Sequence, residues 1–421
     1  YGQPLYVGGV AMGAAKHNVV YVATEHNMVY AFDADSAAAS MPLWSRSLGT
    51  SLTLGGGGYD PGCSDMQIED GITSTPVISL ADNVMYVVAK TNSNQQLHAL
   101  DLSTGLDVTG SPSTIGAGPM TFDPRIHLNR AGLLLLNGTI YIAYGSHCDA
   151  GSYHGWILGY DAKTLQLQSV YSSTPSGGQG AIWQAGVGLA SDGKDIFATV
   201  GNGSAGGNNM GNNVVRLTPS GGGLTVAAHY QARIAGDNDL QSGVTILGST
   251  GLIVGAGKDG NINLLGQSDL SLKQSPGLGG TLNLFAFWNG SAGPLLFAWP
   301  EGGGLHAYQV GAGSLTGKGT NSEQTPGHPG GVFTVSSNGA MPGTGIVWAS
   351  MPLVGDAWHG NASGGLYAFD ASDVTKPSLW NSTANAADKL GTFAKFSHPI
   401  VANGKVYVAT FSGALRVYGL K

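Results

Sequence analysis

Four short loop segments gather most of the side chains able to do chemistry. In GGGGYDPGCSDMQIED, Asp60, Glu69 and Asp70 bring carboxylates and Cys63 a thiol; in YGSHCDAGSYHG, His147, Cys148, Asp149 and His154 fall within eight residues. A Gly- and Asn-rich segment spans 201–211, and Asp356, Trp358 and His359 sit together in the fourth loop. Carboxylate and amide oxygens suit a hard cation such as Ca²⁺, imidazole and thiolate suit softer ions, and an Asp can serve as a base. The spacing H-C-D-x-x-x-x-H matches no strong metal motif, and a loop His beside a bonded Cys commonly serves a turn, so no metal is assigned. The chain has two cysteines, both in polar loop sequence, and a Cys63–Cys148 disulfide is the main reading. His127, His328 and His398 precede or open strands close to the axis of the fold argued below; a channel-facing role and a structural role both remain open for them. No Ser-His-Asp order, phosphate-binding Gly loop or dinucleotide fingerprint is present, because none of the Gly-rich strings opens a helix.

The elements that must position these loops emerge when the chain is aligned with itself. One unit recurs: an apolar strand, a turn, a strand of the form VYVAT, a turn, a third strand ending in Asp, and a looser fourth strand. Clear copies begin at Val19, Val84, Thr139 and Lys405, with the third strand repeated at Gly365; weaker copies lie at DIFATVGNGS, GLIVGAGKDGNINLLGQSD and PLLFAWPEGGGLHAYQVGAG. Second and third strands are apolar on both faces, so each sheet needs a covering sheet on either side, and radial stacking supplies it. Gly, Ser and Thr crowd the innermost strands GITSTPVI, QAGVGLAS and LQSGVTIL, where side chains must be small. The expectation is an all-β, eight-bladed β-propeller of four-stranded antiparallel blades, one domain over 1–421. Its blades span approximately 1–50, 65–118, 126–175, 181–233, 239–278, 280–325, 328–383 and 391–421.

The eighth blade lacks its outer strand, because the chain stops after LRVYGL while GQPLYVGG at the start reads as the inner strand of the first blade. Residues upstream of Tyr1 would close it; alternatively the edge stays open to strand addition from another chain. Propeller topology puts the four chemical loops on one face, around the mouth of a central channel. Asp60, Glu69, Asp70, His147, Asp149, His154, Asp356, Trp358 and His359 are the candidate binding residues there.

The unit resembles the quinoprotein-like propeller repeat, A-x-D-x-x-T-G-x-x-x-W. Ala99, Asp101, Thr104 and Gly105 carry it most fully. Ala31, Asp33 and Trp44, then Gly159, Asp161 and Thr164, then Ala368, Asp370 and Trp380 carry it in part. Thr109 stands where the Trp after Gly105 belongs. The resemblance implies that the Trp of one blade packs on its neighbour while the Asp and Thr close a turn. It also implies a possible activity, a dehydrogenase using pyrroloquinoline quinone (PQQ) held by Ca²⁺. The family's enzymes resemble one another in a vicinal Cys-Cys pair over the quinone, and here no Cys-Cys exists. A bacterial outer-membrane assembly lipoprotein has a similar repeat without catalysis. A non-catalytic binding or assembly module is therefore expected, with no confident cofactor and the PQQ/Ca dehydrogenase as the alternative.

Composition agrees with that class. Gly accounts for 69 of 421 residues and charged residues for only 10%, favouring tight turns over solvated helices. A net charge of −7 without Lys/Arg clusters argues against nucleic acid or an anionic membrane as partner, and no apolar run is long enough for a membrane helix. The expected partners are a protein or glycan surface, or a second copy. A chain beginning at Tyr1 without Met fits a processed, secreted protein, extracellular or periplasmic, and Asn137, Asn202, Asn289, Asn361 and Asn381 are glycosylation candidates. Tyr59, Tyr153, Trp183, Trp288 and Trp358 are expected as exposed aromatics, whereas Trp44, Trp156, Trp348 and Trp380 are expected between blades.

Overall fold

The computed structural model describes residues 1–36, 41–55, 62–66, 68–116, 122–234, 236–325 and 327–419; Tyr59 and Asp60 lie outside them. Strands make up 49% of the chain and helix 2%, so the fold is all-β. The sheets follow one another along the chain, each built from sequence neighbours. The first takes Leu5–Met12, Ala15–Ala23, Met28–Asp33 and Trp44–Ser47; the second takes Val77–Ser79, Val84–Lys90, Gln95–Asp101 and Ser113–Thr114. A nine-stranded sheet comes next, in which one part centred on Thr139–Ser146 and another on Asn213–Ser220 are tied by a single parallel bridge between Val170 and Gly223. Two four-stranded sheets follow, Thr245–Gln274 and Phe285–Gln324, then a five-stranded sheet starting at Val332–Ser336. The last sheet holds Ile400–Ala402, Lys405–Thr410 and Ala414–Gly419.

Val84–Lys90 shows why the sheets stack. Every one of its residues is buried. Since successive side chains point to opposite faces, Met85, Val87 and Ala89 pack with Val19, Tyr21 and Val29 of the first sheet, while Tyr86 and Val88 pack with Ile140, Ile142 and Leu158 of the third. The core is thus a series of layers between sheets. Closure comes from the two ends: Tyr407 packs with Val20 and Ala34, its ring lies 6.4 Å from that of Tyr6, and Lys405 Nζ donates to the Ala34 carbonyl at 2.7 Å. Among the described residues nothing pairs with the outer edge of Ala414–Gly419, where Arg416 and Val417 are exposed.

Local chemistry makes the turns. The Asp101 carboxylate accepts from the backbone N–H groups of Ser103 and Thr104 and from the Thr104 hydroxyl, and Asp161 does the same with Lys163 and Thr164. Trp44 crosses to the second sheet, donating from Nε1 to the Leu102 carbonyl at 3.0 Å with its ring against Gly105. One group of expectations needs correction. Tyr153, Trp183 and Trp288 are buried rather than exposed, at 1%, 6% and 7% relative exposure, because each fills a gap between sheets or under a loop; Trp358 alone of the described set is open, at 40%.

Candidate functional site

The loops meet through specific bonds. A disulfide joins Cys63 to Cys148, Ser64 Oγ lies 3.1 Å from His359 Nδ1, and Asn202 Nδ2 donates to both Asp149 and Asp237. Below them opens a cavity of about 340 Å³ lined by Asp65, Arg130, Cys148, Asp149, Trp183, Asp237, Asn238, Asp239, Gln241, Lys258, Thr281, Glu301, His328, Trp358 and Lys395. Many of these stand just ahead of a strand near the axis, so the wall is assembled from side chains flanking several different sheets.

Most charges in the wall are already answered by the protein. Lys258 Nζ lies 2.9 Å from Asp237 and 2.7 Å from Asp239; burial works against its ammonium, but the two carboxylates outweigh it and raise its pKa. Lys395 donates to the carbonyls of Asp65 and Trp358, and burial pulls it down to about 8. His328 sits 2.7 Å from Glu301 and stacks on Trp358, with burial holding its imidazole below the ordinary value despite Glu301. Burial raises the Asp149 carboxyl, partly offset by the hydrogen bond from the Tyr153 hydroxyl. Arg130 lies between the faces of Trp183 and Phe396, 4.9 and 4.7 Å from the ring centres.

Beneath the wall runs a fully buried charged network. Lys90 Nζ lies 2.6 Å from Asp70 Oδ2, His147 Nε2 lies 3.1 Å from the same oxygen, and all three side chains are at most 3% exposed. Burial alone would raise Asp70, but Lys90 and His147 drive it far below the carboxylate range. Burial and Lys90 press His147 down, yet hydrogen bonds to Asp65 and Asp70 leave its pKa raised. This arrangement holds the 146–154 loop from below while the disulfide holds it from the side.

Of the residues expected at the channel mouth, Asp149, Trp358 and Cys148 line the cavity. Asp70 and His147 lie under it in the buried network, where they support the wall. Glu69 turns to the rim, 2.6 Å from His26 and bonded to Ser51. His154 points between strands, accepting or donating at Thr174 and lying edge-on to Trp156. Asp356 caps the backbone of Trp358, and His359 stacks on the outer side of that ring. Asp60 is outside the described residues. Of the glycosylation candidates, Asn137, Asn289 and Asn361 are exposed, whereas the Asn202 amide is engaged with two carboxylates and the Asn381 oxygen caps its own turn. The loop-centred reading passed over Asp65, Arg130, Asp237, Asp239, Lys258, Glu301 and Lys395. Of the three axial histidines, His127 is structural, bonded to the Asp123 carbonyl and to Trp156 Nε1; His328 lines the cavity; His398 is buried with neither ring nitrogen bonded.

The stacked sheets closed by the two ends of the chain place it among propeller proteins. Comparison with solved structures agrees: BamB from Moraxella catarrhalis superposes with a TM-score of 0.58 at 13% identity over 99% of this chain and 98% of that one. A quinohemoprotein alcohol dehydrogenase from Comamonas testosteroni gives 0.55 at 17% identity over 99% of this chain, which spans 65% of the enzyme. A europium-containing methanol dehydrogenase gives 0.56 at 13% identity, covering 98% of this chain and 83% of the other. At such identities the likeness shows the propeller fold alone. No protein-family model matches the chain, and no curated protein does either. The disulfide is compatible with an extracellular or periplasmic location. Among the described residues no helix is long and apolar enough to cross a membrane.

Proposed function

We propose that the protein is a secreted, non-catalytic propeller that acts as a binding and assembly module, with the cavity at the channel mouth as its recognition site. In this reading the nine-stranded sheet is two blades tied by the Val170–Gly223 bridge, which makes eight blades, the last one with three strands among the described residues. The observation that carries the proposal is the commitment of Lys258, Lys395, His328 and His147 to partners within the protein.

The quinone alternative fits the lining poorly. The Lys258 ammonium already bridges Asp237 and Asp239, the place where paired carboxylates would hold a Ca²⁺. Among the described residues the one close group of three metal-type donors is Cys63, Asp65 and Cys148, and its two sulfurs are bonded to each other. Five carboxylates against three cations in the wall also oppose a tricarboxylate such as PQQ. Incubation with PQQ and Ca²⁺ should therefore give neither stable quinone absorbance nor dye reduction with alcohols or sugars. Calorimetry against oligosaccharides, together with sedimentation for self-association, should show saturable binding, and Trp358→Ala should weaken ligand binding about tenfold without changing the fold. Quinone uptake with turnover would overturn the proposal.

A further inference from the structure

Two polar groups in and beside the cavity, Arg130 and Gln184, have unused hydrogen-bonding capacity among the described residues, and they differ in kind from the committed charges around them. Arg130 makes one weak bond, from Nε to the Trp183 carbonyl at 3.4 Å; the carboxylates of Asp65 and Asp239 lie within electrostatic reach, yet its terminal nitrogens donate to no protein group among the described residues. The guanidinium is nevertheless held rigidly, because its two faces are covered by Trp183 and Phe396. Next in the chain to Trp183 is Gln184, 0% exposed, whose amide oxygen and nitrogen are both without a bond. Its backbone lies in the left-handed region at φ 52, as does that of Ala185 at φ 45, a conformation held against the intrinsic preference of both residues. A planar, pre-oriented guanidinium with open donors is the side chain best suited to a carboxylate, which it engages by two parallel hydrogen bonds.

Elsewhere in the wall Glu301 has acceptor capacity to spare. Gln241 donates to Asn283 at 2.8 Å, and Asn283 and His328 both bond Glu301 Oε1, so among the described residues Glu301 Oε2 accepts from no donor. With five carboxylates against three cations the lining opposes added negative charge, so a ligand carrying a single carboxylate, seated on Arg130, is favoured over one carrying two. We propose, resting on the reading of the cavity as a recognition site, that its ligand is a small hydroxylated monocarboxylate of the sugar-acid class. Its carboxylate lies on Arg130 and its hydroxyls face Glu301.

D-glucuronate is the probe, with D-glucose lacking the carboxylate and D-glucarate carrying two. Titration followed by calorimetry and by tryptophan fluorescence should show saturable glucuronate binding at least about tenfold tighter than either comparison sugar. Arg130→Lys keeps the charge and loses the fork, and should weaken glucuronate about tenfold while the melting temperature stays near that of the wild type. Should that variant fail to fold, competition on the wild-type protein decides: millimolar acetate should displace glucuronate. Equal affinity for glucose and glucuronate, no displacement by acetate, or unchanged binding in a folded Arg130→Lys protein overturns the inference. Binding of neutral oligosaccharides with none of glucuronate overturns the carboxylate assignment and leaves the recognition module standing, whereas quinone-dependent turnover removes the module and not the Arg130 site.

Discussion

Single buried groups set how this protein responds to pH. His398 lies just before the strand Ile400–Ala402, 6% exposed with neither ring nitrogen bonded, and burial lowers its pKa to about 4 from the usual 6.5. Between those values the unfolded chain binds the proton that the folded chain refuses, so stability rises with pH through the window and is lost on acidification. From pH 6.5 to 5 the loss amounts to about 2 kcal/mol for this one imidazole. Glu25 acts the opposite way, since burial pushes its carboxyl up to about 7 and protonation then favours the fold. The wild-type curve mixes the two, and a variant separates them. In His398→Gln, the difference in unfolding free energy between pH 7 and pH 5 should shift by about 2 kcal/mol toward better acid tolerance, measured by urea denaturation at both values. An unchanged difference would show that His398 titrates normally. The axial residues also explain what sequence reading reached. Asp149, Trp358 and the cysteines were legible because they cluster in polar loops, whereas Arg130, Glu301 and Lys395 come one per repeat from different sheets, with no local motif to announce them. Comparing the residue ahead of each inner strand across the repeats is the signal that would have found them.

The sheets themselves were far more legible, and the reason is locality. Asp101 bonds groups two and three residues away, so its turn is written within a single tetrapeptide, and the burial of Val84–Lys90 follows from an uninterrupted apolar run. The contact between sheets is less local and can be tested at Gly105. A Cβ there would lie 2.5 Å from Trp44 Cε3, and its φ of 70° already disfavours any other residue. Gly404 has the same φ of 70° in the Asn403-Gly404 turn with nothing within 4 Å of the added carbon. Both alanine variants pay for the left-handed backbone, about 1 kcal/mol, but only Gly105→Ala also displaces the tryptophan, for a total of about 3 kcal/mol. Thermal denaturation of the pair measures the difference, and equal losses would mean that Trp44 moves aside freely. The nine-stranded sheet was not legible, because a lone bridge between Val170 and Gly223 depends on how neighbouring outer strands splay rather than on either repeat's pattern.

A ring differs from an open array of repeats in having no end at which unfolding starts cheaply. In a linear stack each repeat answers only to its neighbours, and terminal repeats fray first. Here the first and last sheets are each other's neighbours through Tyr407 against Tyr6 and Val20, Lys405 on the Ala34 carbonyl, and Asn403 on Asp35 at 2.9 Å. The last sheet is nonetheless the weakest member, since it has three strands and its edge at Ala414–Gly419 shields little. Tyr407 is 1% exposed and packs at the centre of this junction with Val20 and Ala34, so Tyr407→Ala should cost about 3 to 4 kcal/mol in all. The loss falls where the ring closes and should convert a single cooperative transition into two, with the last sheet opening before the rest. Limited proteolysis should then cut first within residues 391–419 while a large resistant fragment survives, and near-ultraviolet dichroism should follow the same two steps. One unbroken transition, merely displaced to lower denaturant, would mean that the layers between the other sheets carry cooperativity without help from closure, and that the molecule behaves as a curved array rather than a ring.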